Sequence, residues 1–376
     1  MLSKALIIGA YQKKAEELAR LPDVELTVVV PPFWKEGDHR IDLQRGFVDG
    51  YRLVVEPMVF NGNFHLHFYP GLGRLIREVR PHIFHIDEEP YNLSTFLAMK
   101  LARRHGVKAL FFTWQNLYRQ LPPPFNLIEQ YNYASAHWAL AGSEGAKDVL
   151  LKKGFSKPVS VIPQFGVDPV LYSPGGTSAR SVPTSSFNIG YAGRMISAKG
   201  LVLLLEAVRG LSGDWHLTLI GEGPLKNKLR RDADSQGIGG RVSFAPYVRS
   251  EEMPAHLRAL DVLVLPSLTT PAWKEQFGRV LVEAMACGVP VIGANSGEIP
   301  NVIGDAGLIF PEGSVDNLRQ ALTQVMSDAG LRASMARQGR ERALALFTQA
   351  KIAQDTYEVY TRMMEQANGT SEGGDT

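Results

Sequence analysis

Two glutamates eight positions apart, Glu275 and Glu283, have the residue type and the spacing for chemistry on a polar ligand. The apolar pattern from Gly278 to Cys287 predicts a helix that ends at Gly288, so Glu275 lies before this helix and Glu283 lies inside it. The backbone N–H groups from Phe277 to Val280 would lack acceptors within the helix, and the start of a helix carries partial positive charge. Such a position favours an anionic diphosphate.

The separation of the two carboxylates suits a nucleotide-sugar. A helical path from Glu275 to Glu283 would cover roughly 12 Å, which is near the length of a ribose-diphosphate-sugar unit. An ionised Glu283 among apolar neighbours is costly unless donors meet it, and the hydroxyls of a ribose are such donors. Glu275 would then face the hydroxyls of the sugar. The alternative is a core Glu283 that pairs with an arginine and a solvated Glu275.

Two cations follow another predicted strand, Phe187–Tyr191. Arg194 and Lys199 come after the glycine turn at Gly193 and before a predicted helix, Leu201–Arg209. Arginine offers a fork of donors for phosphate oxygens and lysine offers a mobile point charge. The pair would therefore stabilise a departing diphosphate. The alternative is that this lysine is a solvated surface charge.

The segment from Leu265 to Phe310 resembles the signature of glycosyltransferase family 4, in which seven residues separate two glutamates. The motifs that carry the resemblance are Glu275-Gln-Phe-Gly278, Leu281-Val-Glu283-Ala-Met-Ala-Cys-Gly288-Val-Pro-Val, Ser296-Gly-Glu-Ile-Pro300 and Gly304-Asp-Ala-Gly307. Weaker agreement extends from about His137 to about Glu358, and the region before His137 matches poorly.

The resemblance implies an α/β protein of the GT-B fold, with two Rossmann-like domains whose parallel sheets face each other across a cleft. It implies a retaining, metal-independent transfer of a sugar from a nucleoside diphosphate sugar to an acceptor hydroxyl, with no cofactor beyond this donor substrate, in the synthesis of a glycan, a glycolipid or a cell-envelope polysaccharide. The expected catalytic residues are Arg194, Lys199 and Glu275. The residues expected to bind the donor are Gly193, Glu222, Val248, Phe277, Gly278, Arg279, Val280 and Glu283.

The first domain departs from the family at its expected acceptor side. Many members have a histidine-x-histidine pair after a strand, whereas this chain has His85-Ile86-Asp87-Glu88-Glu89. Any of the three carboxylates could contact the acceptor hydroxyl, and the alternative is an acidic surface loop. Trp114 and Asn116 follow a further strand and could bind a sugar by stacking and hydrogen bonding.

Two patterns that imitate metal sites are weaker. His65 and His67 could share one face of a strand, but no further ligands occur at suitable spacing, so an aromatic loop bordering the acceptor site, or simple packing, is favoured. Asp232 and Asp234 lie in a predicted helix, where residues two apart do not share a face. We therefore predict no metal site.

Composition limits the class of partner and the compartment. The formal net charge of +2 gives no reason to expect a nucleic acid. Cys287 is the single cysteine and cannot form an internal disulfide, and no apolar run reaches the ~18 residues that span a bilayer. We expect a cytoplasmic protein, with contact to the inner face of the membrane left open. Its expected partners are a nucleotide-sugar donor and a carbohydrate, lipid-linked or small-molecule acceptor.

Short apolar runs that alternate with helical patterns predict two domains built on parallel sheets. The expected divisions are an acceptor domain at 1–168, a linker rich in Pro, Gly and Ser at 169–186, a donor domain at 187–346, a helix that returns to the first domain at 347–366 and a tail at 367–376. The strands predicted for the first half are Lys4–Gly9, Glu25–Val30, His82–Ile86, Ala109–Thr113, His137–Ala141 and Val159–Ile162.

Two other functions remain open at this point. Nucleotide-sugar epimerases share the GT-B fold, and the acidic run Asp87–Glu89 could transfer a proton at a sugar carbon. A protein that binds nucleotide-sugars without turnover is the second alternative. Retention of Glu275, Arg194 and Lys199 together favours an enzyme.

Overall fold

Each half of the chain is built around a parallel β-sheet. The structure is a computed structural model that describes residues 1–37, 39–175, 178–180 and 185–368, with side chains described as far as residue 365. Parts of the predicted linker at 169–186 and of the predicted tail at 367–376 lie outside these ranges. Two units result, one formed by Met1–Gly166 with the segment that begins at Gln349, the other by Val167–Thr348.

The first unit has a four-stranded parallel sheet and a parallel strand pair. Leu2 forms parallel bridges to Val29 and to Ile86, and so joins the pair β1–β4 to the sheet β5–β6–β7–β8. An antiparallel hairpin, β2–β3, lies between β1 and β4 in the chain. The strands are β1 (Thr27–Val30), β2 (Phe33–Glu36), β3 (His39–Asp42), β4 (Arg52–Val55), β5 (Ile83–Ile86), β6 (Lys108–Thr113), β7 (Trp138–Ala141) and β8 (Val159–Val161). The helices are α1 (Lys13–Ala19), α2 (Leu72–Val79), α3 (Leu93–Arg104), α4 (Phe125–Ser135) and α5 (Glu144–Lys152).

The second unit has a six-stranded parallel sheet in the order β11–β10–β9–β12–β13–β14. The strands are β9 (Phe187–Ala192), β10 (Trp215–Ile220), β11 (Val242–Ala245), β12 (Val262–Leu265), β13 (Val291–Ala294) and β14 (Leu308–Phe310). The helices are α6 (Leu201–Arg209), α7 (Lys226–Ser235), α8 (Met253–Leu257), α9 (Arg279–Ala286), α10 (Ile299–Ile303), α11 (Val315–Ser327) and α12 (Ala329–Leu346). The strand order reverses direction at β9, and in such sheets ligands bind beyond the carboxyl ends of the strands at that point.

The last helix, α13 (Gln349–Asn368), packs in the core of the first unit. Ile352, Val359 and Met363 are buried there against strand residues such as Leu110 and Leu140. An amphipathic helix in this position closes an apolar face of the sheet that would otherwise be exposed. No helix in the described ranges is long and apolar enough to cross a membrane.

The predicted strand Lys4–Gly9 is wrong, because the chain forms short 3-10 turns at Ala5–Ile7 and Gly9–Gln12 instead. The Lys4 amide and ammonium donate to the Glu88 carboxylate at 3.2 and 3.0 Å, which turns the chain away from the sheet after Ser3. Only Met1–Ser3 pairs with the neighbouring strands. The hairpin β2–β3 and strand β4 were absent from the sequence prediction.

Candidate functional site

A pocket of about 290 Å³ opens at the carboxyl ends of β9, β10 and β11 in the second unit. It brings together residues that are far apart in sequence but follow neighbouring parallel strands. Its lining is formed by Ala192, Gly193, Arg194, Ile220, Gly221, Glu222, Tyr247, Val248, Ser250, Met253, Arg279, Val280 and Glu283. Seven residues predicted to act on the donor therefore border one cavity.

Two glycine turns lie against each other at the mouth of this pocket. Gly193 and Gly221 have φ values of 152° and 130°, a region that residues with a Cβ rarely adopt. A Cβ at Gly221 would come within 2.2 Å of the Gly193 carbonyl oxygen. The turns after β9 and β10 can therefore approach closely because Gly221 lacks a side chain.

Glu283 is buried in α9 and lines the pocket through its carboxylate. Its Oε1 lies 2.9 Å from Nε of Arg279 and 3.3 Å from the hydroxyl of Tyr172, which donates to it. Burial raises the pKa of Glu283, against the opposing effect of Arg279. The alternative of a core glutamate paired with an arginine thus describes the local contacts, but this pair also borders the cavity. Tyr172 was not singled out, because it falls in the segment interpreted as a linker.

Lys199 and Glu275 form an ion pair with an Nζ–Oε2 distance of 2.5 Å. The hydroxyl of Ser267 donates to the same oxygen at 2.8 Å, and the ring of Trp273 lies 4.8 Å from the ammonium. Glu275 is only 7% exposed, so the alternative of a solvated loop charge is wrong. The alternative of a solvated surface lysine is wrong for the same reason, since the Lys199 side chain is 17% exposed.

Gly200 fixes the turn that carries Lys199. Its φ of +67° places it in the left-handed region at the start of α6. A Cβ at this position would lie 1.9 Å from the carbonyl oxygen of Pro266, the residue after β12. Leu268 donates its amide to Ala198 at 2.7 Å, so the two loops are joined on both sides of this contact. The loop after β9 is thereby held beside the loop that leads to Glu275.

The start of α9 differs in part from the sequence prediction. Gly278 caps the helix with φ of +80°, and the Leu281 amide already bonds to the Gly278 carbonyl at 2.8 Å. Val280 lines the pocket from the first turn, whereas the Phe277 ring packs on Phe347 at 5.6 Å. Arg279 and Val280 are therefore the residues of this helix start that line the cavity, and Phe277 and Gly278 are not part of its lining.

Arg194, Glu222 and Val248 are further residues predicted to act on the donor that border the pocket. Arg194 is exposed, and no ion pair joins it to a carboxylate of the described residues. Glu222 pairs with Lys226 at 2.6 Å at the start of α7. Val248 is buried and packs with Ala192 and Ile220 under the cavity, and the largely exposed Tyr247 stands beside it.

The three acidic residues after β5 are buried in the first unit, so the alternative of an acidic surface loop is wrong. Ser3 donates its hydroxyl to Asp87 at 2.6 Å, and Lys4 pairs with Glu88. Glu89 accepts from the Thr113 hydroxyl at 2.6 Å and from the Trp114 amide at 2.8 Å. Each carboxylate is thus held by donors within its own unit.

The pKa values of two of these buried carboxylates, Glu88 and Glu89, are shifted in opposite directions. Burial opposes ionisation of Glu88, but Lys4 and His67 outweigh it and lower the pKa of Glu88 to about 2. Burial raises the pKa of Glu89 to about 7, against its hydrogen bonds from Thr113 and Trp114. Trp114 is half-buried, with its indole N–H donating to Gln164 at 2.9 Å, and Asn116 is half-buried nearby in the chain.

We expect Glu89→Gln to change the pH dependence of folding. The pKa of Glu89 rises from 4.5 to about 7 on folding, so the folded protein keeps a proton that the unfolded chain loses between these values. Stability therefore falls as pH rises through this window. The free energy of unfolding of the wild type should fall by about 1–3 kcal/mol more than that of the variant between pH 5 and pH 8. Urea unfolding at the two pH values measures this difference.

Glu88→Gln is the matched control for this measurement. Its pKa lies at about 2 in the folded state, so its contribution is lost only as pH falls below 4.5. The free energy of unfolding of this control should be lower than that of the wild type, and the decrease should be the same at pH 5 and at pH 8. A Glu89→Gln variant that loses as much stability across this range as the wild type would contradict the prediction.

The imitations of metal sites have ordinary structural roles. His67 is fully buried and bonds to the Asn63 carbonyl and the Ser94 hydroxyl, while His65 packs among aromatic rings. Asp232 pairs with Lys228 on the surface of α7. Among the residues that the structure describes, no three His, Cys, Asp or Glu side chains form a group that could hold a metal ion. Cys287 is buried at the end of α9.

Two family models match the chain. Residues 179–342 match Glycosyl transferases group 1, and residues 13–169 match Glycosyltransferase Family 4. A Mycobacterium tuberculosis GDP-mannose-dependent alpha-(1-6)-phosphatidylinositol monomannoside mannosyltransferase is 34% identical over 39% of this chain and 40% of its own length. A Stackebrandtia nassauensis D-inositol 3-phosphate glycosyltransferase is 29% identical over 78% of this chain and 71% of its own length.

The structural comparison agrees in fold. Anabaena HepE, solved in complex with UDP, superposes with a TM-score of 0.71 over 96% of this chain and 98% of that chain, at 17% identity. The match to the mannosyltransferase spans only about two fifths of that relative's length. The two family models together span most of the chain, and the protein belongs to the group 1 glycosyltransferases of glycosyltransferase family 4.

Proposed function

We propose that this protein transfers a sugar from a nucleoside diphosphate sugar to an acceptor hydroxyl in the synthesis of a glycan or glycolipid. The observation that carries the proposal is the pocket of the second unit, where Arg194, Arg279 and Glu283 border one cavity at the carboxyl ends of parallel strands. A cavity with this position in the sheet is the usual place for a nucleotide. HepE was solved with UDP, and the M. tuberculosis relative is GDP-mannose-dependent, which supports the same class of donor.

In the proposed mechanism each polar group acts on one part of the donor. Glu283, held by Arg279 and Tyr172, accepts hydrogen bonds from the ribose hydroxyls. Arg194 and the first turn of α9 contact the diphosphate, and Lys199 neutralises charge that builds on it as the sugar departs. Glu275 orients the sugar. Because the chain supplies this positive charge, the mechanism needs no metal ion.

Retention of the anomeric configuration is part of the proposal. The acceptor hydroxyl would attack from the face that the diphosphate leaves, so that the leaving group can take up its proton. Buried Asp87, Glu88 and Glu89, with Trp114 and Asn116, are proposed to shape the acceptor side. A carbohydrate, lipid-linked or small-molecule acceptor would suit a protein that works in the cytoplasm, at or near the inner face of the membrane.

Product analysis tests the reaction. The protein is incubated with UDP-, GDP- and ADP-sugars, with and without a panel of glycan and lipid-linked acceptors, and the sugar is followed by NMR. We expect a glycoside with the anomeric configuration of the donor, formed only with acceptor, and unchanged by a chelator. An inverted product would reject retention. An epimer formed from donor alone would favour an epimerase, and tight donor binding without any product would favour a binding protein.

Glu283→Gln is expected to weaken nucleotide binding with little loss of stability. The carboxylate gains two charge-assisted hydrogen bonds from a ribose, and each is about 1–1.5 kcal/mol stronger than the neutral hydrogen bond that a glutamine would keep. The Kd for the preferred nucleoside diphosphate, measured by calorimetry, should rise about tenfold to a hundredfold. Burial already raises the pKa of Glu283, so a neutral glutamine should be tolerated there.

The surface pair Arg337–Glu341 supplies the control for this measurement. It has the same residue types four positions apart in α12, at 3.3 Å, with both side chains exposed. Glu341→Gln should leave the Kd unchanged. Equal Kd values for Glu283→Gln and the wild type would place the ribose elsewhere.

A further inference from the structure

A second and larger pocket, of about 650 Å³, lies in the first unit at the amino ends of β5 and β6. The candidate acceptor residues follow the opposite, carboxyl ends of the same strands. Five basic side chains line this second pocket: Arg77, Arg80, His82, His105 and Lys108. We call it the basic pocket.

Two neighbouring helix-to-strand connections build the basic pocket. Helix α2 ends at Val79, and Arg80 caps it in the left-handed conformation with φ of 47°, which reverses the chain into β5. Helix α3 ends at Arg104, and Gly106 with φ of 66° makes the matching reversal into β6. The two strands begin side by side, because Ile83 pairs with Lys108 in the parallel register. Basic residues from two separate connections therefore converge.

Within the described residues, no carboxylate of the lining balances the charge of the basic pocket. No Asp or Glu of the described residues is part of its lining. Glu78, next to Arg77 in α2, is engaged outside it by Arg52 at 2.6 Å. The Lys108 ammonium donates a hydrogen bond to the Met363 carbonyl. This acceptor is neutral, so it leaves the positive charge of Lys108 uncompensated. Converging positive charges repel each other, so an anion bound among them would be stabilised.

The floor of the basic pocket is apolar. Ile76 and Val107 are buried beneath the basic side chains, and Met364 of α13 stands at its edge with 40% exposure. Arginine and lysine together suit phosphate oxygens, the first by its fork of donors and the second as a point charge. An apolar floor next to them would accept a carbon skeleton attached to the phosphate.

We propose that the basic pocket is a second binding site for a ligand that bears a phosphate group. It is separate from the 290 Å³ pocket of the second unit, which we call the donor pocket. The phosphate would lie between Arg77 and Arg80 on one side and His105 and Lys108 on the other. Two sources share this chemistry, a free phosphorylated compound and the headgroup of an anionic lipid. The experiment separates them.

The ring protons of His82 and His105 report on this pocket alone, because the lining of the donor pocket contains no histidine. Their NMR signals, assigned with His82→Gln and His105→Gln, are followed while the full-length protein is titrated with pyrophosphate. Sedimentation with vesicles of phosphatidylcholine alone, or with added phosphatidylglycerol, measures the lipid source. Both measurements are repeated with the double variant Arg77→Gln/Arg80→Gln.

The double variant Lys152→Gln/Lys157→Gln removes the same charge from exposed positions of the same unit, outside the basic pocket. We expect saturable shifts with pyrophosphate, sedimentation only with the anionic vesicles, or both. Either response should weaken at least tenfold in the arginine variant and less than twofold in the lysine variant. Shifts alone would assign a free phosphate compound, and sedimentation alone would assign a lipid headgroup. Neither response, or equal weakening in the two variants, would overturn the proposal.

Discussion

Replacement of Lys199 with alanine is expected to lower kcat for sugar transfer by about a hundredfold or more. Loss of one preorganised group that stabilises developing negative charge typically costs about 10²–10³ in rate. The substitution also leaves the buried Glu275 carboxylate without its cation, so Glu275 should lose its orientation towards the sugar. Steady-state kinetics with the preferred donor would show the effect mainly in kcat.

Lys226 is a matched lysine, and like Lys199 it does not belong to the lining of the 290 Å³ pocket. Lys226 pairs with the exposed Glu222 at 2.6 Å, and pairs of this kind contribute only about 0–1 kcal/mol. Lys226→Ala should therefore reduce the rate less than about threefold. To separate catalysis from folding, Lys199→Ala is also compared with Glu275→Gln. The second variant removes the negative charge of residue 275 but keeps the Lys199 ammonium. A Lys199→Ala protein that folds and turns over normally would remove this lysine from the mechanism.

Gly200→Ala is expected to destabilise the second unit by about 4 kcal/mol or more. Two costs add: the left-handed backbone costs an alanine about 1 kcal/mol, and the new Cβ would lie 1.9 Å from the Pro266 carbonyl oxygen. Backbone on both sides must shift to relieve this contact, which would separate Lys199 from Glu275. Urea unfolding would show the loss of stability, and donor binding should weaken in parallel.

Gly237 isolates the conformational part of that cost. It has a similar φ of +73°, and a Cβ there would meet nothing within 4 Å. Gly237→Ala should cost only about 1 kcal/mol, because strain without a clash remains. If the two variants lose equal stability, the close approach of Gly200 to Pro266 does not hold in solution.

Strands and helices of the second unit were predictable because their apolar runs are short, regular and bounded by glycine. The helix Leu201–Arg209 has the bounds that the sequence predicts, and the strand Phe187–Ala192 extends one residue beyond the predicted Phe187–Tyr191. The pairing of Glu275 with Lys199 was not predictable, since it depends on how closely the loops after β9 and β12 approach each other. Tyr172 was missed because a segment rich in Pro and Gly carries no periodic signal, although its hydroxyl reaches Glu283.

Two segments of the first unit, Lys4–Gly9 and Asp87–Glu89, were harder to predict. The apolar run Lys4–Gly9 has the composition of a strand, but the ion pair of Lys4 with the distant Glu88 diverts it into turns. The same pair explains why Asp87–Glu89 resembled a surface loop: the donors that allow these carboxylates to be buried come from Ser3, Lys4 and Thr113, far away in sequence. Local composition does not contain such long-range partners.

The ion pairs around the donor pocket also bear on how a spent nucleotide leaves. Arg279 and Lys199 each have a carboxylate neighbour of their own, while Arg194 has no such neighbour in the described chain. If the proposed function holds, an arriving diphosphate would share these cations with resident anions, so part of its electrostatic attraction would be offset before it binds. After the sugar had gone, the same carboxylates would pair with their cations again, and we expect the nucleotide to leave faster than it would from a cavity lined by unbalanced positive charge.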